Sequence, residues 1–444
     1  MVISSGSKRV PGRFVGLVTD GVSFCVFAVL DIVDQLLCPV FALLDSLVLS
    51  SDGGSLDSTD IPGKSKMPTE ATKSDSKLGA EHGGNSSPAS NRLKSKLQRA
   101  FKWSSFRSCD EKRLARWSDC GCEKCMSWQL NEHKLYVHVD DKDFVASHGN
   151  DNNVQRAENN VVFLHGFLSS SSFWTDSVMP ALPQEVRVSH RLFALDILGF
   201  GKSPKPSDCF YTLADHVDII ERSLLQSHGV QKFHLVAHSM GCIIALALAA
   251  QFPAAVKSLT LLAPPYYPAT PGITPAASYT IQQLAPRRIW PLVTFGSAVM
   301  SWYEHIGRVV CLVVCKNHRF WEPILTFLHS KIPGHRTPLS SVADFTKHTH
   351  HSAWHLFHNT ICSGVHAVDH CFEELLRAGR RIRVIHGTHD SIVPFKQSEI
   401  LSCRHPGVLL SPVLSANHAS IVFGRESELA SELAQEFELV EKVT

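Results

Sequence analysis

The chain has 444 residues and an apolar fraction of 44%, enough for one large domain with attachments or for two domains. Its formal net charge of +2 argues against a nucleic-acid partner. The 13 cysteines are an odd number spread along the chain, unlike the pattern of a small disulfide scaffold. The composition does not indicate an oligomeric state.

Residues 1–50 form an N-terminal segment that is basic at first and then apolar from Phe14 to Leu49. Four aspartates interrupt it: Asp20, Asp31, Asp34 and Asp45. At about 100° per residue they fall within an arc of about 60° on one helix face. Four carboxylates on one face would cost a lipid-exposed transmembrane helix considerable free energy. An interfacial helix, or a transmembrane span paired with another helix, is therefore as plausible as a cleaved signal peptide. We favour membrane association over a fully soluble chain, and we expect Pro39 to kink or divide the helix.

Residues 51–115 are predicted to be a linker. Its first part, 51–91, is rich in Ser, Gly, Asp, Lys and Pro and is predicted to be disordered. Basic residues dominate from Arg92 to Arg116. This basic stretch is either a solvated helix face or a contact with anionic lipid heads, and the sequence leaves both open.

Cys120, Cys122 and Cys125 open the next segment. They could bind zinc if Cys109 or a histidine completed a tetrahedral set of ligands. Because the spacing is not the paired Cys-x-x-Cys of a zinc ribbon, we favour a local disulfide or a packed thiol cluster over a metal. The sequence prediction is therefore a protein without a metal or an organic cofactor.

Residues 116–265 and 381–444 are predicted to form a split α/β core. A buried strand begins at Asn160 and ends in His165-Gly166, and the loop after such a strand supplies an oxyanion donor in hydrolases. We assign that role to the backbone N–H of Phe167 and expect His165 to support the loop. A Thr-x-x-Asp capping pattern then opens an amphipathic helix that runs from Thr212 to Ser227.

Ser239 lies between a short apolar strand and a helix of small apolar residues. The segment Ala237–Gly241 matches the Gly-x-Ser-x-Gly nucleophile elbow, except that Ala replaces the first glycine. Such a turn exposes the serine hydroxyl above the sheet. It also directs the N–H of Met240, at the start of the helix, toward an oxyanion.

The insertion at 266–380 is predicted to be a helical lid over an apolar substrate pocket. It is rich in large apolar side chains, including Trp290, Trp302, Trp321 and Trp354. Four histidines at helical spacing fall within an arc of about 80°: His348, His351, His355 and His358. We favour packed or pocket-facing histidines over a metal site, because no carboxylate or cysteine completes the set in the sequence.

Two further candidates follow strands near the C-terminus. Asp390 ends the strand that begins at Arg381, and His418 lies in the loop after the last strand. The order Ser239, Asp390, His418 is that of α/β-hydrolase triads. The predicted fold is therefore an α/β-hydrolase, with a mostly parallel sheet, helices on both faces and a helical lid. A terminal helix from Glu426 to Val443 is expected to pack on the sheet.

In this arrangement Ser239 attacks an ester, His418 moves the proton, and Asp390 holds the imidazole. A serine nucleophile argues against epoxide hydrolysis and dehalogenation, which need a carboxylate there. The prediction is a serine ester hydrolase that acts on lipid-like substrates. Acyl transfer to an alcohol on the same triad and a non-enzymatic ligand receptor remain alternatives.

With these motifs in hand, the chain resembles plant α/β hydrolases of the BODYGUARD family over nearly its whole length. The resembling segments are Leu30–Asp34, Arg116–Cys120, His165–Ser171, Val236–Cys242, Leu261–Tyr267 and Ser301–His305. Family members usually carry Leu where this chain has Met240, a mild change because only the backbone N–H is required. The resemblance implies a lysophospholipase-like activity, a role in cuticle formation from cutin or wax precursors, and a location at the membrane or in the epidermal cell wall.

Overall fold

The computed structural model describes six parts of the chain: residues 11–51, 116–129, 134–144, 159–268, 276–331 and 337–442. Apart from residue 51, the predicted linker at 51–115 lies outside the described residues. Residues 39–103 are assigned to a separate unit, of which only the end of the first helix is described. The proposed domain boundaries stay predictions.

A seven-stranded sheet forms the centre of the protein, with the order β1-β3-β2-β4-β5-β6-β7. The edge strand β1 is antiparallel to β3, and the other neighbours are parallel. The strands are β1 Val137–Asp140, β2 Asn160–Leu164, β3 Arg191–Leu195, β4 Phe233–His238, β5 Val256–Leu262, β6 Arg381–Gly387 and β7 Val408–Val413. This sheet confirms the predicted mostly parallel architecture.

Helices precede, flank and follow these strands. The first group is α1 Pro11–Ser51, α2 Glu123–Gln129, α3 Ser172–Thr175, α4 Val178–Ala181, α5 Gln184–Ser189, α6 Leu213–Ile220 and α7 Met240–Gln251. The insertion contains α8 Ala276–Leu284, α9 Leu292–Trp302, α10 Glu304–Val313, α11 His318–Ser330, α12 Ser340–Thr346 and α13 His350–His355. A π-helical turn, Leu356–Cys362, extends α13, and the chain ends with α14 Val368–Arg377, α15 Lys396–Arg404 and α16 Glu426–Glu441.

The core explains why the local sequences fold as they do. Strands β2 and β4 are buried at every residue, as expected for central parallel strands that are covered on both faces. One apolar cluster joins the sheet residue Phe163 to Trp174 of α3 and to Leu433 and Phe437 of α16. The apolar face predicted for the terminal helix is the face that packs there.

Two predicted helices can be compared with the structure. The capping box of Thr212 and Asp215 opens α6, and the helical segment continues beyond Ile220 as the π-helical turn Glu221–Gln226, which agrees with the predicted range from Thr212 to Ser227. Helix α1 continues through Pro39, contrary to the expected division, because a long helix can lose one backbone hydrogen bond without breaking.

Helix α1 contacts the lid through two aspartates of its predicted stripe. Asp31 accepts hydrogen bonds from Arg287 at 2.6 Å and from the hydroxyl of Tyr303 at 3.0 Å. Asp34 Oδ1 accepts, at 2.9 Å each, the N–H groups of the second and third residues of α10. These first-turn N–H groups have no partner within their own helix, so Asp34 caps α10 from outside.

The rest of α1 is strongly apolar and largely exposed. By length and composition, its stretch Asp20–Val48 could cross a membrane. Only 11% of the residues in an apolar 18-residue section of this stretch are buried. Exposed side chains include Phe24, Ile32 and Leu36. In the part of the chain that the structure describes, one helix meets this criterion.

Candidate active site

Ser239 occupies the sharp turn between β4 and α7. Its backbone has φ 52° and ψ −124°, in the left-handed half of conformational space that non-glycine residues rarely adopt. The N–H of Ser239 donates to the carbonyl of Leu262 on β5 at 2.9 Å. The neighbouring parallel strand therefore holds the strained turn in place, with the hydroxyl at the carboxyl end of the sheet.

His418 connects Ser239 to Asp390. The imidazole Nδ1 donates to Asp390 Oδ2 at 2.7 Å, and Nε2 lies 2.9 Å from the hydroxyl oxygen of Ser239. Because Nδ1 keeps its proton and donates it in the hydrogen bond to Asp390, Nε2 of the neutral ring is free to accept the serine proton. The three residues singled out in the sequence thus lie within hydrogen-bond reach in the order that proton transfer requires.

Asp390 is buried, and its carboxylate accepts several hydrogen bonds. Its Oδ1 accepts the N–H groups of Ile392 and Val393 at 2.9 Å each, and Oδ2 lies 3.3 Å from Nε2 of His386. Burial raises the pKa of Asp390, but the hydrogen bonds from His386 and His418, together with the charge of His418, hold it well below its usual range. The carboxylate is therefore ionised at neutral pH and can stabilise an imidazolium.

His238 is a residue whose importance the sequence did not reveal. Its Nε2 donates to the backbone carbonyl of His418 at 3.1 Å, and its ring stacks on Phe173 with the ring centroids 4.7 Å apart. Burial lowers the pKa of His238 to about 3, so the ring stays neutral. His238 thereby holds the loop that carries His418, the predicted base. In the sequence it was only the variable position before the serine.

The loop after β2 lies against the nucleophile turn. A Cβ built on Gly166 would lie 3.2 Å from the Cβ of Ser239, so the residue before Phe167 lies against this turn. Met240 is the first residue of α7, where the N–H has no intrahelical partner. Both predicted oxyanion donors thus belong to backbone that borders Ser239.

His165 lies beneath this loop. Its Nε2 accepts the N–H of Ile197 at 2.9 Å, so Nδ1 carries the proton and donates to the carbonyl of Gly166 at 2.7 Å. Burial lowers the pKa of His165, consistent with a neutral ring. Both ring nitrogens are thus bonded to backbone groups of the two loops, and the supporting role of His165 stays a prediction.

The lid closes over the same loop. The ring of Phe167 packs against Phe200 and Phe357, with centroid distances of 5.4 Å and 6.1 Å. Asp344 of α12 accepts hydrogen bonds from the hydroxyls of Ser170 in the loop and of Ser172 at the start of α3. The loop after β2 therefore contacts the lid through an aromatic side chain, and the buried carboxylate of Asp344 joins the lid to the core.

The histidine row of the lid divides into two kinds of contact. His351 and His358 bond to backbone carbonyls, of Cys209 at 2.9 Å and of Ser301 at 3.1 Å, as expected for packed histidines. His348 instead faces Cys311 and Cys315. The sequence missed this contact because Cys311 lies in α10 and Cys315 in the turn after it, more than 30 residues before His348.

The thiol cluster near the start of the core also has a distant partner. Cys120, Cys122 and Cys125 are free thiols in the structure, so the favoured local disulfide is absent from these described residues. His318, the first residue of α11, lies against them.

Gly241 is required by the close approach of α7 to β2. A Cβ at this position would lie 2.5 Å from the carbonyl oxygen of His165 and 2.9 Å from that of Leu164. Because both obstacles are backbone atoms, Gly241→Ala is expected to destabilise the fold by about 2 kcal/mol or more. Thermal unfolding followed by circular dichroism measures this loss.

Gly296 provides a matched control. It also lies in a helix, α9, but a Cβ there meets nothing within 4 Å. Gly296→Ala is expected to be neutral or to stabilise the protein by up to about 1 kcal/mol. Equal melting temperatures for Gly241→Ala and the unmodified protein would contradict the steric argument.

Known proteins resemble this chain both in part of its core and over nearly its whole length. A family model described as alpha/beta hydrolase fold matches residues 159–293. "Probable lysophospholipase BODYGUARD 4" of Arabidopsis thaliana is 39% identical over 427 residues, which is 95% of this chain and 98% of the relative. "Probable lysophospholipase BODYGUARD 2" of the same plant is 34% identical over 474 residues, 93% of this chain and 96% of the relative. The solved esterase RhEst1 from Rhodococcus sp. ECU1013 is 18% identical with a TM-score of 0.46, covering 68% of this chain and 94% of that one.

Proposed function

Because this chain belongs to the BODYGUARD family of plant α/β hydrolases, we propose that it is a serine hydrolase that cleaves lipid-type carboxylic esters through an acyl-enzyme. The observation that carries the proposal is the contact series from Ser239 through His418 to Asp390, at 2.9 Å and 2.7 Å. The chemistry needs only these side chains and backbone donors, so the proposal includes no metal or organic cofactor in the reaction.

The reaction begins when Ser239 Oγ attacks the ester carbonyl carbon and its proton passes to Nε2 of His418. The ionised Asp390 stabilises the imidazolium that results. The N–H groups of Phe167 and Met240 donate to the oxyanion of the tetrahedral intermediate. When the intermediate collapses, the ester C–O bond breaks and His418 returns the proton to the departing alcohol. Water then repeats the sequence on the acyl-enzyme, which releases the acid and restores Ser239.

The surroundings of Ser239 favour an apolar acyl chain. The rings of Phe167, Phe200 and Phe357 meet where the lid covers the loop beside the nucleophile. Aromatic walls desolvate a hydrocarbon chain more readily than a sugar or a peptide. The relatives carry the name probable lysophospholipase, and a lysophospholipid combines such an acyl chain with one cleavable ester. We therefore take lysophospholipids and monoacylglycerols as the first substrate class to test.

We also propose that the protein works at a membrane surface. The exposed apolar stretch of α1 and the bonds of Asp31 and Asp34 to the lid support this location. Near the same end of the lid, three large apolar side chains are more than two-thirds exposed: Trp290, Leu292 and Val293. Such side chains insert readily into a lipid headgroup region. The family further suggests the epidermal cell wall and cuticle formation as the biological setting.

One assay separates hydrolysis from acyl transfer. Purified full-length protein is incubated with lysophosphatidylcholine or a monoacylglycerol, with and without a long-chain hydroxy acid as acceptor, and the products are identified by mass spectrometry. We expect free fatty acid in both mixtures and no acylated hydroxy acid. An acylated acceptor would assign the same residues to a transferase, and release of neither product would contradict the proposed substrate class.

A further inference from the structure

A second cluster of chemically reactive side chains lies outside the active site, between the segment before β1 and helix α11. Cys122 Sγ is 3.5 Å and Cys125 Sγ is 3.6 Å from Nε2 of His318. With Cys120 included, the four ligand atoms all lie within 4.8 Å of one another. His318 is buried and the three cysteines are partly buried. The reaction proposed above uses none of these residues.

We propose that Cys120, Cys122, Cys125 and His318 bind one structural zinc ion. Structural zinc sites are four-coordinate and tetrahedral, and Cys₃His is one of their usual ligand sets. Bond lengths of about 2.3 Å to sulfur and about 2.0–2.1 Å to nitrogen place the sulfur and nitrogen atoms of a tetrahedron about 3.6 Å apart. The two sulfur–nitrogen distances in the structure, 3.5 Å and 3.6 Å, match this spacing.

The hydrogen bonds around the cluster prepare its ligands. Nδ1 of His318 lies 3.0 Å from Oε1 of Glu322, one helical turn further along α11. When Nδ1–H donates to Glu322, the lone pair on Nε2 faces the sulfurs of Cys122 and Cys125. A carboxylate behind a metal-binding histidine is the common way to fix its tautomer and orientation. The N–H of Cys122 also donates to Cys120 Sγ at 3.5 Å, which holds these two cysteines together in the cluster.

Two other clusters in the described residues are less complete. Cys311, Cys315 and His348 provide three ligands, one fewer than a closed structural zinc site has. The group of His190, His234 and Glu441 also has three, and its carboxylate already pairs with Lys257 at 3.2 Å. Within the part of the chain that the structure describes, the cluster at His318 alone combines four ligands.

The position of the site indicates its role. The three cysteines belong to the segment that leads into the core, whereas His318 begins a lid helix. Around them, Lys316 donates to the carbonyl of Trp117, and Arg308 lies over the ring of Trp117 at 5.3 Å. A bound ion would join these two segments where Lys316 and Arg308 already contact Trp117. Zinc at this site therefore stabilises the lid against the core and takes no part in ester chemistry.

The test measures bound metal directly. Full-length protein is purified in detergent without chelators, and zinc is quantified by inductively coupled plasma mass spectrometry. We expect about one zinc per chain, lost in His318→Ala and in Cys122→Ser. Glu322→Gln should keep the fold and weaken zinc binding by about 10- to 100-fold, because it removes the charge behind the histidine. Cobalt(II) in place of zinc should give thiolate charge-transfer absorption, absent from His318→Ala.

Matched variants show whether the loss is specific. His348→Ala alters the three-ligand cluster, and Cys403→Ser removes an exposed thiol; both should retain the zinc. A chelator should lower the melting temperature of the unmodified protein and leave that of His318→Ala unchanged. The proposal is overturned if the unmodified protein contains no zinc, if His318→Ala keeps it, or if peptide mapping finds a disulfide among Cys120, Cys122 and Cys125.

Discussion

Ser239→Ala is expected to lower kcat for ester hydrolysis by about 10⁴- to 10⁶-fold. The substitution removes the oxygen that forms the acyl-enzyme but keeps the Cβ, so the strained turn with φ 52° can still form. Residual activity would come from the oxyanion donors and a bound water. The measurement is fatty-acid release from lysophosphatidylcholine under saturating substrate, with circular dichroism to show that the variant is folded.

Ser415→Ala is the matched control for this change. Ser415 is also a serine at positive φ, 60°, but it is exposed in the loop after β7. We expect its kcat to stay within about twofold of the unmodified protein. Activity of Ser239→Ala close to that of the control would contradict the acyl-enzyme mechanism. If Ser239→Ala also restored growth and cuticle in a plant lacking the protein, a non-enzymatic receptor would be favoured.

The fold and the order of the site residues could be predicted because their signals are local. Ser239 lies in a five-residue turn between a strand and a helix, and Asp390 and His418 each follow a strand near the C-terminus. In a mostly parallel sheet the carboxyl ends of the strands meet at one edge, so chain order is enough to bring such residues together. The family resemblance is confirmed over nearly the whole chain, and one of the segments that carry it, Val236–Cys242, contains Ser239.

The supporting contacts could not be predicted because they join segments that are distant in the sequence. His238 reaches the carbonyl of His418 across 180 residues, and nothing near either residue indicates the pairing. The cysteine cluster was incomplete in the sequence for the same reason. The nearby histidine, His318, is 193 residues beyond Cys125, so the sequence favoured a local disulfide or a packed thiol cluster over a metal.

Helix α1 is an intermediate case. The aspartate stripe followed from periodicity alone, and it left open an interfacial helix, a span paired with another helix and a cleaved signal peptide. The partners that the structure shows, Arg287 for Asp31 and the start of α10 for Asp34, depend on how the lid folds. Periodicity therefore identifies the polar face of a helix, whereas tertiary packing determines what that face contacts.

Asp390→Asn is expected to lower kcat by about 10⁴-fold with little change in KM. An asparagine fits the same space and can still accept the N–H groups of Ile392 and Val393. Its amide, however, can donate to Nδ1 of His418, which moves the imidazole proton to Nε2. That tautomer cannot accept the proton of Ser239, and no carboxylate remains to stabilise an imidazolium.

The control uses another aspartate–histidine pair of this protein. Asp369 accepts a hydrogen bond from His405 at 2.9 Å and pairs with Arg404, outside the proposed triad. Asp369→Asn also removes a carboxylate charge next to a histidine. It should therefore lower the stability of the protein, while kcat per folded molecule stays within about twofold of that of the unmodified protein. Steady-state kinetics on both variants, corrected for the folded fraction, make the comparison. Equal losses of kcat would mean that Asp390 acts through general stability, whereas a loss confined to Asp390→Asn assigns it to control of the His418 tautomer.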